Sequence, residues 1–235
     1  MTKTAVIAGV GPGLGASIAE KFVSEDCAVA LLARSEDYLD EFTMTLRDRG
    51  ADAIGIPTDI TQADQVDHAI DRVHEELGSV DVLVNHAGGG GWQGIRDLSA
   101  EAFEGAWRTC AHGAFLCSKA VLDDMLAAGD GAILFSGATS AIRGRGGSVG
   151  FSSAKFAVRG LAQSMAQELG PQGITVAHVV LDGGILPPNR DVDDPAEYLD
   201  PDDIAETYWH LVEDDPATMN FEVHVTNGNG TIEFI

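Results

Sequence analysis

Lysine is nearly absent from this chain. There are four in 235 residues (Lys3, Lys21, Lys119 and Lys155), and Lys plus Arg total 14 against 37 Asp plus Glu, for a formal charge of −23. That balance argues against nucleic acid and against an anionic membrane as partners, because phosphate groups are bound by clustered positive charge. Cysteine is scarce as well. Cys27, Cys110 and Cys117 are an odd set without metal-ligand spacing, which speaks against a disulfide framework and for a reducing cytoplasm. Long apolar runs are missing too. Val80 to Val84 is broken by Asp81 and Val176 to Leu181 by His178, so no stretch approaches a membrane span, and the chain opens on a strand rather than a secretory leader.

What is abundant is acid, spread along the whole chain. Two readings remain open. An acidic surface with few lysines keeps a protein soluble in concentrated salt, where repulsion is screened within a few ångströms, and so fits a halophilic source. The other is a surface for a basic partner, although no segregated acidic tail is present. Acid clusters also raise a metal reading. Asp191, Asp193 and Asp194, with Asp200, Asp202 and Asp203, lack the spaced ligands and central glycine of a calcium loop. His74-Glu75-Glu76 lacks the second histidine of a zinc helix. Both read as solvated faces, and no metal site is expected.

Short apolar runs alternate with amphipathic ones. Strands are expected at Thr4 to Ala8, Ala28 to Ala33, Ala53 to Ile56, Val80 to Val84, Ala132 to Phe135, Ile174 to Val180 and Phe221 to Val225. Helices are expected from Leu14, over Glu36 to Arg49, Gln62 to Leu77, Ala100 to Ala127 and Ser152 to Leu169. This rhythm predicts an α/β fold, a Rossmann-type doubly wound parallel sheet with helices on both faces. Without linker or repeat, residues 1–235 read as a single dinucleotide-binding domain. Within it, 187–215 reads as a flap over the substrate and 226–235 as a C-terminal tail of a turn and short strand.

The first strand runs directly into Gly9-Val10-Gly11-Pro12-Gly13-Leu14-Gly15 and then a helix. Glycines there permit a tight turn and close approach of backbone to a pyrophosphate, and the helix N-terminus supplies N–H donors. The spacing Gly9, Gly13, Gly15 resembles the Gly-x-x-x-Gly-x-Gly loop of the short-chain dehydrogenase/reductase family. Asn85-His86-Ala87-Gly88 resembles the family's Asn-Asn-Ala-Gly, and Asp59 matches its adenine-facing aspartate. The resemblance extends over about Thr4 to Ile185. It implies cofactor contacts from Gly9, Gly11, Gly13, Leu14, Gly15, Arg34, Ser35, Asp59, Ile60, Asn85, Ala87, Gly88, Lys155 and Ile185. It also implies a small-molecule carbonyl or alcohol substrate, and a homodimer or homotetramer built on the helices containing Cys110 and Lys155.

The same resemblance shows what has been lost. Lys155 matches the lysine that holds the nicotinamide ribose, but Phe151 stands at the catalytic tyrosine, Ala138 at the serine and Cys110 at the asparagine. A phenyl ring cannot exchange a proton with a substrate oxygen. Lost general-acid assistance typically costs on the order of 10² to 10⁴ in rate. His86 is a candidate substitute, since histidine titrates in a useful range and its loop ends a strand, where α/β sites form. A loop histidine bonded to backbone is the alternative, and His112 is a second candidate on a helix of unfixed register. The second strand ends Ala33-Arg34-Ser35, with no acid for a ribose 2′-hydroxyl, so NADP(H) is favoured over NAD(H). Arg143 and Arg145 read as partners of the acidic surface more than of an anionic substrate. Two functional classes follow: an oxidoreductase with an altered proton donor, or a catalytically silent dinucleotide-binding sensor or subunit.

Overall fold

The computed structural model describes residues 2–188 and 191–228. The first strand, β1 (Thr4–Ala8), is buried along its whole length, and α1 (Leu14–Ser24) follows it with Leu14, Ile18 and Phe22 turned inward. Then come β2 (Ala28–Ala33), α2 (Glu36–Asp48), β3 (Ala53–Pro57), α3 (Ala63–Glu76) and β4 (Val82–Asn85). The second half runs α4 (Ala100–Trp107), α5 (Gly113–Ala128), β5 (Gly131–Ser136), α6 (Val149–Leu169), β6 (Ile174–Asp182), α7 (Pro201–Glu213) and β7 (Glu222–Thr226).

These strands pair in parallel in the order β3-β2-β1-β4-β5-β6-β7, so the doubly wound expectation holds. Alternate residues feed two cores. Val6 and Ala8 of β1 and Ile133 and Phe135 of β5 face α3, α5 and α6; Ala5, Ile7, Ala132 and Leu134 face α1, α2 and α7. A sheet covered on both faces needs this nearly unbroken apolar text. The chain reverses its direction of winding between β1 and β4, and the carboxyl ends there open a crevice, the place where ligands meet such sheets.

Two expectations change. The helix predicted over Ala100 to Ala127 is interrupted by a π turn at Arg108–His112, which joins α4 to α5 without breaking the rod. It carries Cys110, and single π turns inside helices are frequent at functional sites. Part of the segment read as a flap, 201–213, is helix α7, packed along α1 with Tyr208 fully buried. Asp200 caps it by accepting from Asp202 N–H at 2.9 Å, and Pro201 takes the first turn, where a missing N–H costs nothing. The short strand expected at the end of the 226–235 tail lies outside the described residues.

Candidate active site

Two adjoining cavities lie above the carboxyl ends of β1, β4 and β5. The first, of about 350 Å³, is walled by Gly9, Gly11, Arg34, Ser35, Asp59, Ile60, Ala87 and Gly88, all expected there from sequence. Gly9 has φ +106°, and a methyl group added to it would lie 2.4 Å from the Ala87 backbone. No side chain but hydrogen fits, and the loop stays open above α1. Burial would raise the Asp59 carboxyl, but hydrogen bonds from Thr61 N–H (3.0 Å) and Thr61 Oγ1 (2.8 Å) outweigh it, with help from the Arg34 charge, and hold it low. Asp59 is therefore ionised and fixed.

Not every expected contact lines this cleft. Gly13, Leu14 and Gly15 form the start of α1. Asn85 is buried, donating from Nδ2 to Ser118 Oγ at 3.1 Å, so it braces β4 against α5. Lys155 and Ile185 belong to the second cavity, of about 370 Å³, which shares His86 and Gly88 with the first.

The second cavity gathers Lys155, Phe151, Ala138 and His86. Cys110 is buried and does not line it. Lys155 is 4% exposed and donates to Ser136 O at 2.6 Å, and burial pulls its ammonium below the usual lysine value. Its nitrogen stands 5.6 Å from the centre of the Phe151 ring. The indole of Trp92 stacks on that same phenyl at 4.1 Å between centroids and 27° between planes. Phe151 is thus held between a cation and an indole, with no oxygen where a phenol would stand.

His86 is one of the polar groups lining this cavity, with Lys155, Thr139, Ser140 and Arg145. Its Nδ1 lies 2.8 Å from Ser136 Oγ, which lies 2.6 Å from the hydroxyl of Tyr208 on α7. The direction of this chain follows from counting donors. Tyr208 is fully buried, and Ser136 is the only partner of its hydroxyl among the described residues, so a phenol that did not donate there would leave a buried O–H unpaired. Ser136 therefore receives from Tyr208 and gives its own hydrogen to His86 Nδ1. The imidazole proton is then on Nε2. Burial, reinforced by the Lys155 charge, pushes His86 down to about 4, so the ring is neutral near pH 7. Ser136 and Tyr208 were not legible as site residues: they are 72 positions apart, and only the packing of α7 joins them.

Neighbouring charges are mostly spent. Arg143 Nη2 sits 3.6 Å from Asp182 Oδ2, whose other oxygen accepts from Thr139 Oγ1. His112 stacks on Trp107 at 6.0 Å and does not line the cavity. Beneath the cavity floor, His178 is fully buried with Nδ1 3.0 Å from Glu222 Oε2, and Arg159 grips both Glu222 oxygens at 2.6 and 2.9 Å. Arg145 differs from expectation: it lines the cavity and makes no ion pair among the described residues.

Known proteins resemble this arrangement along most of the chain. A family model described as short chain dehydrogenase matches residues 3–190. The short-chain reductase protein NovJ of Streptomyces niveus is 33% identical over 195 residues, which cover 83% of this chain and 73% of that protein. An alcohol dehydrogenase from the archaeon Thermococcus sibiricus, solved with 5-hydroxy-NADP, superposes with a TM-score of 0.89 at 26% identity and covers both chains fully. A single-residue variant of the actinorhodin polyketide ketoreductase, solved with NADPH, gives 0.90 at 26% identity over 98% of each chain.

Proposed function

This chain belongs to the short-chain dehydrogenase family, and from that premise we propose that it is an NADP(H)-dependent oxidoreductase of a small carbonyl or alcohol, with His86 in place of the missing phenol. The observation that supports the reading is the chain Tyr208–Ser136–His86, which orients the ring of a histidine that lines both cavities. The glycine loop, Asp59 and Gly88 would hold the dinucleotide, Lys155 its ribose, and Arg34 with Ser35 a 2′-phosphate. When bound, a nicotinamide supplies or accepts a hydride at carbon.

The chain's own residues then act on the oxygen. His86 Nε2–H donates to it while the ring stays neutral, as an electrophile rather than a strong acid. Charge growing on that oxygen is further stabilised by the Lys155 ammonium, which burial keeps undiluted by water. The proton that completes the alcohol comes from solvent, since the cavity is open and Tyr208 is a buried end of the chain. Ser136 and Tyr208 hold the tautomer and take no part in transfer.

The second reading, a silent dinucleotide binder, draws support from the stacked Trp92 that covers Phe151. Exposed Phe115 on α5 and Phe156 on α6 support a homo-oligomer in either case. The deciding experiment is a titration with NADPH and NADH in potassium chloride, followed by a carbonyl screen of the wild type and of Phe151→Tyr. Tight NADPH binding with turnover that requires His86 upholds the oxidoreductase. Tight binding with no turnover until Phe151→Tyr restores it selects the silent binder. Loss of the NADPH preference in Arg34→Ala would support the 2′-phosphate assignment; an unchanged preference would sink it.

A further inference from the structure

One wall of the second cavity takes no part in the Tyr208–Ser136–His86 chain. The loop after β4 is clamped onto the start of α6: Val149 N–H donates to Gln93 O at 3.1 Å, and Phe151 N–H reaches toward Gly91 O at 3.5 Å. Gly91 has φ +69°, and a methyl group added to it would lie 2.8 Å from Gly150 Cα, so the backbone contact is as close as glycine permits. This clamp seats Trp92 on Phe151. Yet the indole is 59% exposed while the phenyl beneath it is 8% exposed. One aromatic face is spent on Phe151, and the rest of the indole surface stays open at the cavity.

Charge is the second, independent observation. The protein has 37 acidic residues, but among the described residues no Asp or Glu lines this cavity, whereas Lys155 and Arg145 do. Lys155 is engaged by Ser136 O, and Arg143 is paired with Asp182. Arg145, which has no ion pair among the described residues, lines an acid-free hollow of a strongly acidic protein. A guanidinium recognises a carboxylate or similar anion through two parallel N–H donors, and an aromatic face recognises a flat ring.

We infer that the substrate is a flat aromatic anion, its ring lying on Trp92 and its acidic group at Arg145. The word substrate rests on the oxidoreductase reading; the binding site itself does not. Cavity volume fits a ligand of this size class, since small-molecule sites run from roughly 300 to 1,000 Å³. A neutral sugar could lay C–H bonds on the indole but would leave the guanidinium without its anionic partner.

The test is calorimetric, in the lowest salt that keeps the protein folded, with three probes: 2-naphthoate, its neutral isostere 2-naphthamide, and saturated decalin-2-carboxylate. Each is titrated with and without saturating NADP⁺. Naphthoate is expected to bind at least about tenfold more tightly than either other probe, and to do so with NADP⁺ present. Arg145→Gln should bring naphthoate down to the level of the amide. Trp92→Leu should bring it down to the level of the decalin acid. Equal affinities in the wild type, or selectivity that survives both substitutions, would overturn the proposal. So would displacement of naphthoate by NADP⁺, which would put the ring in the dinucleotide's place. None of these readings needs turnover. A protein that binds naphthoate selectively but no dinucleotide would uphold the aromatic-anion site and sink the dehydrogenase reading.

Discussion

The two cavities share His86 and Gly88 but are built by different means. The first rests on a backbone loop: Gly9 and Val10 N–H groups donate to Leu32 O at 2.8 and 3.1 Å, and the loop approaches Ala87 so closely that only hydrogen fits. The second is made of side chains. Two of these, Phe151 and Ala138, stand where the resemblance implies a tyrosine and a serine, and Cys110, at the implied asparagine, is buried outside the cavity. A backbone cradle is over-determined by the sheet beneath it, so single changes elsewhere leave it standing. Proton chemistry rests on one oxygen atom at a time, and one substitution removes it. On the proposed reading, binding and chemistry are therefore separable, and experiments can press on each alone.

The largest effect is expected from the cradle. Gly9→Val places a branched side chain at φ +106° against the Ala87 backbone, with no flexible neighbour to yield. Strain and overlap together should cost at least about 2 kcal/mol of stability, read as a lowered Tm, and NADPH binding should vanish in the calorimeter. Retained NADPH affinity would break the claim that the first cavity rests on a backbone loop. Next in size is His86→Leu, which removes the N–H but keeps a side chain in the wall. Turnover should fall by roughly 10² to 10³, while NADPH affinity changes by less than about threefold, or under 1 kcal/mol. A silent loss of cofactor binding instead would show that His86 serves the cradle rather than the oxygen.

A third prediction concerns acid. In the folded state burial pushes His178 down to about 4, although its bond to Glu222 opposes the shift, against an unfolded value near 6.5. Below 6.5 the unfolded chain takes up the proton and the folded one does not, so stability is lost as pH falls from 6.5 toward 4. The loss from this residue should reach about 3 kcal/mol. Glu222 then adds to it. Burial alone would raise its carboxyl, but bonds from Arg159 and His178 hold it at about 2, so its contribution disappears between about 4.5 and 2. Denaturant unfolding at stepped pH would show both windows; a flat profile between pH 6.5 and 4 would refute the buried neutral His178. His86 has the same sign and window, so His178→Asn should reduce the slope without abolishing it.

Legibility in the sequence follows the same division. The glycine loop, Asp59, Lys155 and the lost phenol at Phe151 are readable because each is a local text beside a strand end or within one helix turn. The strands and the two-sided core follow from apolar runs of the right length, whereas the strand order is seen only in the structure. The hydrogen-bond chain is invisible there because Ser136 and Tyr208 meet only through the packing of α7 on the sheet. Arg145 misleads for a related reason: thirty-seven acids make a surface pairing the default expectation, and only the fold shows a hollow without one. Asn85 is expected to face the cofactor, but its amide turns to Ser118 on a helix 33 residues later. The π turn at Arg108–His112 leaves no periodic signature, because one extra residue in a helix does not disturb an apolar face over so short a span.

The smallest expected effect lies at the cap of α7, which the acidic composition hides. Asp200-Pro201-Asp202-Asp203 looks like part of a solvated acid run, yet it is also an N-cap followed by proline and first-turn acids. An aspartate cap followed by proline recurs at Asp194 and Asp215, each accepting from the backbone N–H two residues on, at 3.0 and 2.8 Å. Some of the acidity is thus local chain-folding chemistry, independent of salt and of any partner. Asp200→Ala should cost about 1 kcal/mol, and Asp200→Asn, which keeps the acceptor and removes the charge, should cost much less. If both variants lose stability equally, and the loss fades as potassium chloride is raised, charge rather than the hydrogen bond is what matters at this position. Equal stability of Asp200→Ala and wild type would mean instead that α7 is held by its buried face alone. Tyr208 would then stay fixed beneath Ser136 whatever happens at the cap.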